Sequence, residues 1–105
     1  MALSATEKKF CRSIGHHLKP IVLIGNNGLS DALLAELERA LEDHELIKVK
    51  VATEDRETKR AIIAALAGAV NCEVVHSIGN VALIYRAARQ QNRKLSNLVR
   101  YSSES

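Results

Sequence analysis

Apolar residues recur along the chain at two different spacings, and these predict where helices and strands alternate. A helical spacing first places Phe10, Ile14 and Leu18 on one stripe, behind a capping box that begins at Ser4. The continuous apolar run 20–24 then predicts a buried strand. Two further helices and three further strands follow in the same manner. The pattern therefore predicts the element order α-β-α-β-α-β-β.

These elements predict one α/β domain, a four-stranded mixed sheet packed by helices. Strand–helix–strand repeats favour parallel pairs with right-handed crossovers. Only Gly79 and Asn80 separate the last two strands, and this two-residue hairpin signal requires an antiparallel pair. In the second strand Lys48 and Lys50 alternate with apolar residues, which predicts one face turned to water.

The sequence becomes polar after the last predicted strand and loses its periodicity. We therefore divide the chain into a folded domain, residues 1–86, and a basic C-terminal tail, residues 87–105. Such polar termini are usually poorly ordered unless something ties them down. We expect a loosely attached tail, with a short helix around residues 87–91 as its one candidate element.

Length and composition exclude several classes of protein. The chain has 105 residues, enough for one small domain with a single core. Aromatic residues make up 3%, too few for an RNA-binding sheet that stacks bases on aromatic rings. Two cysteines, Cys11 and Cys72, do not make a disulfide scaffold, and we expect both to be reduced, small buried residues.

Neither a targeting segment nor a membrane segment is evident. Residues 1–9 lack the apolar core of a signal peptide, and the longest apolar run, residues 61–70, is well short of the roughly 20 residues of a membrane helix. We expect a cytoplasmic protein with no metal or cofactor, because Cys11, His16 and His17 do not make a tetrahedral ligand set.

The formal net charge of +3 conceals a segregation of charge along the chain. Residues 1–30 carry +3, residues 31–57 carry −5 and residues 58–105 carry +5. The acidic residues concentrate on the second predicted helix and its borders, whereas the basic residues lie on the other helices, the wet strand face and the tail. This pattern leaves a polyanion-binding surface and an incidental arrangement equally open.

The sequence Gly25-Asn26-Asn27-Gly28 connects the first predicted strand to the second helix. Glycines allow positive φ and close backbone approach, and the helix behind them offers free amide donors suited to phosphate. A Gly-x-x-Gly loop of the KH type clamps a nucleic-acid backbone in this way. A plain strand-to-helix turn is the alternative, since glycine and asparagine favour turns as well. Dinucleotide and nucleoside-triphosphate loops do not fit, because their further glycines and lysine are missing.

Three segments of the chain together resemble a known family. They are residues 18–29 (LKPIVLIGNNGL), 44–50 (HELIKVK) and 52–58 (ATEDRET). They look like the signature of the bacterial YhbY proteins, which are stand-alone CRM domains, the chloroplast RNA splicing and ribosome maturation module. The resemblance covers roughly residues 3–86 and is far more specific than the two loop glycines alone.

The resemblance implies a non-enzymatic RNA-binding protein whose fold is similar to the C-terminal domain of translation initiation factor three. Bacterial members associate with precursors of the large ribosomal subunit, so the implied partner is ribosomal RNA in pre-50S particles. No membrane and no small-molecule substrate is implied, and we expect a monomer. The family's loop maps onto residues 25–28. Plant members often carry a basic residue within this loop, where the present chain has two asparagines.

The candidate RNA contacts combine this loop with nearby basic residues. Lysine and arginine neutralise phosphates, and loop amides and asparagine donors can seat the backbone between them. The predicted RNA-binding residues are Lys8, Lys9, Arg12, Lys19, Gly25, Asn26, Asn27, Gly28 and Arg86.

Two other functions are weighed against RNA binding. A protein-interaction adaptor on the ribosome would use the acidic second helix, with Glu38 and Glu42 meeting a basic partner. A metal-dependent nuclease would need the carboxylates of Glu54, Asp55 and Glu57 to converge. Acidic residues at the start of a helix serve capping and the helix dipole, so we favour that structural role for all three.

Overall fold

The computed structural model describes residues 3–25 and 27–102. The elements in chain order are α1 (Ala5–Gly15), β1 (Pro20–Ile24), α2 (Asp31–His44), β2 (Leu46–Val51), α3 (Arg56–Ala69), β3 (Glu73–Ile78), β4 (Val81–Tyr85) and α4 (Asn97–Ser102). The predicted order of the first seven elements is confirmed. The helix α4 follows them and was not predicted.

Local side-chain contacts begin each long helix where the sequence predicts it. The Ser4 hydroxyl accepts a hydrogen bond from the Glu7 amide at 3.1 Å, and the Glu7 carboxylate accepts one from the Ser4 amide at 2.8 Å, which completes the capping box of α1. Ser30 caps α2 and Asp55 caps α3 by the same kind of contact. Hydrogen bonds with Ser4 hold the pKa of the Glu7 carboxyl below its ordinary value, and hydrogen bonds from the Thr58 hydroxyl and amide do the same for the pKa of Asp55.

The four strands form one mixed sheet in the order β1-β2-β4-β3. The pair β1–β2 is parallel, and the pairs β2–β4 and β4–β3 are antiparallel. The connection through α3 therefore carries the chain past the position of β4, which then returns between β2 and β3. The predicted α/β class and mixed sheet are confirmed. Gly79 makes the tight turn between β3 and β4 with a φ of +57°.

Helices cover the two faces of the sheet unequally. On one face α2 and α3 enclose the larger core, which contains Leu37, Leu41, Leu66, Val49 and Ile84. On the other face α1 and α4 cover a smaller cluster. Its buried members are Cys11, Ile14, Leu46, Val75 and Leu83.

The second face is only half covered, and two sequence predictions fail there. The continuous apolar run of β1 predicted burial on both sides, but the side chains of Ile21 and Leu23 are 51% and 60% exposed. The reason is that β1 is an edge strand, whereas α1 packs mainly over β2 and β3. The predicted stripe on α1 is also wrong at Phe10, which is 42% exposed, because α1 turns Cys11 and Ile14 toward the sheet instead.

The segment after β4 packs against the domain through Glu45, so the expectation of a loosely attached tail is wrong for residues 87–102. The buried Glu45 carboxylate accepts hydrogen bonds from the Ala88 amide at 2.8 Å, from Gln91 at 2.6 Å and from Ser96 at 2.7 Å. The predicted helix at 87–91 is also wrong, since the tail helix is α4. These partners are more than 40 residues apart in sequence, which a local pattern does not reveal.

Cys11 and Cys72 are both free thiols, as expected. Cys11 is buried and Cys72 half-buried, and burial raises the pKa of Cys72 to about 11, so its thiol is neutral at physiological pH. Within the part of the chain that the structure describes, every helix is too short or too polar to cross a bilayer.

Candidate nucleic-acid interface

Gly25 and Gly28 close a tight turn between β1 and α2. The Gly28 amide donates to the Gly25 carbonyl at 3.0 Å, and Gly28 adopts a φ of +64°, a conformation that favours glycine. Space around Gly25 and Gly28 is open, and Asn27 is exposed. Asn26 lies outside the described residues. Gly25 and Gly28 therefore leave room for a ligand to approach the backbone, and contact between this loop and RNA stays a prediction.

Two other loops meet this turn at the same edge of the sheet. The Ala52 amide donates to the Ile24 carbonyl at 2.8 Å, which holds the start of the β2–α3 connection beside the turn. The Val51 amide donates to the Asn80 carbonyl at 2.8 Å, so the β3–β4 hairpin joins the same edge. The Lys59 ammonium donates to the Asn80 side chain at 3.2 Å, which places a cation there. We refer to this region as the loop edge.

A groove of about 500 Å³ lies on the half-covered face of the sheet, beside α1. We call it the sheet groove. Its basic and histidine side chains come from α1 and its C-terminal end, from β2 and from β3, and its floor is apolar. The charged or titratable lining residues are Arg12, His16, Lys48 and His76, and the apolar floor includes Ile78, Val81 and Leu83. The described residues that line the groove include no carboxylate.

The three basic residues of α1 have different surroundings. Arg12 is exposed and lines the sheet groove, and Lys9 is exposed on the same helix. Lys8 lies 3.5 Å from the Glu73 carboxylate and forms an ion pair with it. The pair is only partly buried, and ion pairs in contact with solvent contribute little to stability, so Lys8 can exchange Glu73 for another anion at small cost.

Lys19 and Arg86 lie apart from the groove. Lys19 is exposed in the connection between α1 and β1 and lines a second, smaller cavity. The Arg86 guanidinium pairs with Glu38, lies 3.8 Å from Glu42 and donates to the Val70 carbonyl at 3.0 Å. RNA binding through Arg86 stays a prediction, and it would require the breaking of these contacts.

The predicted RNA-binding residues leave out three residues of the groove. The alternation along β2 predicts a wet face for Lys48, which the structure confirms, and the place of Lys48 in a groove depends on how far α1 extends over the sheet. His16 lies at the C-terminal end of α1, where the helix dipole alone accounts for a histidine. His76 had no sequence signal, because the register of β3 shifts between Val74 and His76. Among the described residues, no group of three or more histidine, cysteine or acidic side chains could hold a metal ion.

Known proteins resemble this chain in sequence over most of its length. The CRS1/YhbY (CRM) domain family matches residues 3–86. A protein of Pseudomonas aeruginosa, named as a probable RNA-binding protein, is 49% identical over 102 residues that span 97% of this chain and 98% of that one. An RNA-binding protein of Haemophilus influenzae is 45% identical over 93 residues, which span 89% of this chain and 94% of that one.

A solved structure shares the fold as well. It is the solution structure of a Staphylococcus aureus protein described as a candidate RNA-binding protein. The two superpose with a TM-score of 0.74 at 30% sequence identity, over 90% of this chain and 98% of that one. The fold and the sequence thus point to the same group of proteins.

Proposed function

Since the chain belongs to the CRS1/YhbY (CRM) domain family, we propose that it is an RNA-binding protein without enzymatic activity. The observation that carries this proposal is the sheet groove, where Arg12, Lys48 and two histidines surround an apolar floor and no described carboxylate lines the wall. RNA presents phosphates for the cations, and its ribose and base surfaces suit the apolar floor.

The partner we propose is ribosomal RNA in precursors of the large ribosomal subunit, bound in the cytoplasm by a monomer that assists assembly. The support for this finer statement is the resemblance of three sequence segments to the bacterial YhbY proteins. The chemistry of the surface is compatible with it, because a structured RNA presents a dense array of phosphates.

RNA in this proposal is held mainly by its backbone. Lys9 and Arg12 neutralise phosphates beside the sheet groove, and Lys8 joins them when it leaves Glu73. The amides of the loop at residues 25–28 seat the sugar-phosphate chain at the loop edge. Phosphate contacts position a strand without reading its sequence, so recognition would depend on the shape of the RNA.

The adaptor function receives less support from the structure. An adaptor would bind a basic partner through Glu38 and Glu42 on the acidic helix α2. Both carboxylates already have partners within the chain. Glu38 pairs with Arg86, and Glu42 accepts hydrogen bonds from the Arg89 and Gln90 amides. The nuclease function also receives less support, because it needs Asp55 as one of three converging carboxylates. Asp55 instead caps α3 and accepts a hydrogen bond from the Thr58 amide.

The dependence of RNA affinity on salt tests the proposal. With about four to six phosphate contacts, the logarithm of the binding constant should fall against the logarithm of salt concentration with a slope of about −3 to −5. The measurement is a titration of the full chain with a labelled fragment of large-subunit ribosomal RNA. An affinity that does not change from low to moderate salt would contradict the proposal.

A pair of variants locates the surface. The double variant Lys9→Gln and Arg12→Gln should weaken RNA binding and make the salt slope shallower by about two, because two phosphate contacts are lost. Arg39→Gln is the matched control, since Arg39 is an exposed arginine on α2, away from the groove. Equal weakening by both changes would place the RNA elsewhere.

A further inference from the structure

A second cavity, of about 180 Å³, lies on the other side of the α1–β1 connection. We call it the tail pocket, because the tail helix α4 forms one of its walls. The α1–β1 connection, the end of α2 and the strand β2 form the others. Its polar lining residues include His17, Lys19, His44, Lys48, Arg100 and Tyr101.

Positive charge accumulates in the tail pocket, and the described residues around the cavity do not compensate it. No carboxylate is among the described residues that line it. The described residues also provide no ion-pair partner for Lys19, Lys48 or Arg100. Three cationic side chains around one small cavity repel each other, and an anion in their midst would relieve that repulsion.

The side chains of the tail pocket are held in place by contacts within the fold. The rings of His17 and Tyr101 stack in parallel with their centres 5.6 Å apart, and the Arg100 guanidinium lies 5.6 Å from the centre of the Tyr101 ring. His44 Nδ1 lies 2.9 Å from the Leu95 carbonyl, and only a protonated nitrogen can pair with a carbonyl, so the Nε2 atom carries the remaining hydrogen-bonding capacity.

Asn97 secures the helix α4 that brings Arg100 and Tyr101 to the cavity. Its side-chain amide is buried and donates to the Leu46 carbonyl at 2.6 Å, which fixes the start of α4 on β2. Its carbonyl oxygen accepts from the Arg100 guanidinium at 3.4 Å. The tail pocket is therefore formed before any ligand arrives, which lowers the entropic cost of binding.

We propose that the tail pocket binds a phosphate group of the RNA, and that α4 thereby extends the RNA-binding surface beyond the family match at residues 3–86. The cavity has room for about six waters at roughly 30 Å³ each, which is enough for one phosphate group. Arginine and lysine are the usual phosphate ligands, and Arg100 can present two parallel donors to one phosphate.

The position of Lys48 supports RNA as the source of the phosphate. Lys48 lines both the sheet groove and the tail pocket, so the two cavities are neighbours. A strand that occupies the groove can continue over Lys48 and place its next phosphate in the tail pocket. This step rests on the proposed function, whereas the affinity of the pocket for a phosphate group does not.

Two single variants of the full chain test the site. Arg100→Gln and Lys19→Gln should each weaken binding of a single-stranded RNA oligonucleotide by about tenfold at low salt and make the salt slope shallower by about one. Arg93→Gln, in an exposed arginine of the tail that does not line the pocket, is the matched control and should change neither value. Lys19 packs in no core cluster, so its variant reports on binding without a folding defect.

Titration with inorganic phosphate separates the possible outcomes. Phosphate at constant ionic strength should shift the ring-proton resonances of His17 and Tyr101, and the Arg100→Gln variant should lose the shift. If the Lys9 and Arg12 change weakens RNA binding but Arg100→Gln and Lys19→Gln do not, the proposed function stands and the tail pocket is not part of the RNA site.

Two further outcomes are decisive. If inorganic phosphate shifts the ring-proton resonances while neither pocket variant changes the affinity for RNA, free phosphate is the ligand. The proposal that the phosphate belongs to RNA is then refuted. If the chain binds no RNA at all and phosphate leaves the rings unchanged, both the proposed function and the phosphate site are refuted.

Discussion

The two faces of the sheet differ in what covers them. Under α2 and α3 the sheet contributes only apolar side chains, such as Val49 and Ile84, to a core that excludes water. Under α1 and α4 only one end of the sheet is covered, and the rest shows Leu23, Lys48 and Lys50 to solvent or to a groove. The same four strands thus supply stability through one face and a binding surface through the other.

Exposed apolar residues on this sheet are a consequence of its architecture. Leu23 pairs with Lys50 across the parallel strands β1 and β2, so an apolar and a cationic side chain stand together on the open face. A surface with both characters suits a ligand that carries both, as RNA does. On the covered face the sheet instead packs its buried side chains against the apolar sides of two helices.

The largest expected effect comes from a cavity in the covered face. Leu37→Ala removes a side chain that is fully buried in the larger core and should lower the free energy of unfolding by about 2–5 kcal/mol. Leu23→Ala is the matched change on the open face and should lower it by less than about 0.5 kcal/mol. Urea denaturation measures both, and equal losses would show that the open face is covered in solution.

The next effect concerns Glu45, whose carboxylate ties the tail to the half-covered face. Burial by itself raises the pKa of Glu45, but hydrogen bonds from Gln91, Ser96 and the Ala88 amide together lower it below the ordinary value of 4.5. Because the pKa is lower in the folded chain, this stabilisation is present above about pH 4.5 and is lost as pH falls through the folded value.

The variant Glu45→Gln keeps the size of the side chain and removes its charge. We expect it to lower the free energy of unfolding by about 1–3 kcal/mol at neutral pH, since hydrogen bonds to a charged buried acceptor are lost. Hydrogen exchange of the amides in residues 88–100, followed from pH 6 to pH 3, should show protection that falls with pH in the original chain and stays low in the variant. Protection in the variant equal to that of the original chain would refute this role.

The sequence predicts the elements well because their signals are local. The capping box at Ser4 and the hairpin at Gly79 each depend on residues within a few positions of one another, and both are confirmed. The exposure of Ile21 depends on the position of β1 at the sheet edge, and the docked tail depends on Glu45, about 50 residues before Ser96. The exposure of Ile21 and the docking of the tail depend on the tertiary arrangement, which no local pattern along the chain reveals.

The candidate site likewise combines features that local sequence reveals with features that depend on the tertiary arrangement. Arg12 and the glycine loop could be identified from sequence, since basic residues on a helix and a strand-to-helix turn are local features. The sheet groove could not, because it brings His16 at the end of α1 together with Lys48 on β2 and His76 after a register shift in β3. The tail pocket could not either, since α4 was not predicted.

We expect the smallest effect on stability from Lys48→Gln. The same variant distinguishes the two faces of the sheet most sharply. Lys48 lies on β2 between Ile47 and Val49, which point into the covered core. The side chain of Lys48 itself lines the sheet groove and the tail pocket. The variant should change the free energy of unfolding by no more than about 0.5 kcal/mol, because no described ion pair is lost. It should weaken RNA binding by about tenfold at low salt, because one phosphate contact disappears.

Urea denaturation and an RNA titration on the same preparation separate these two effects, with Arg39→Gln as the control that should alter neither. A loss of affinity without a loss of stability would place the binding function of β2 on its open face. A loss of stability as large as that of Leu37→Ala, with unchanged affinity, would show that Lys48 serves packing and that the two faces of β2 do not divide their roles.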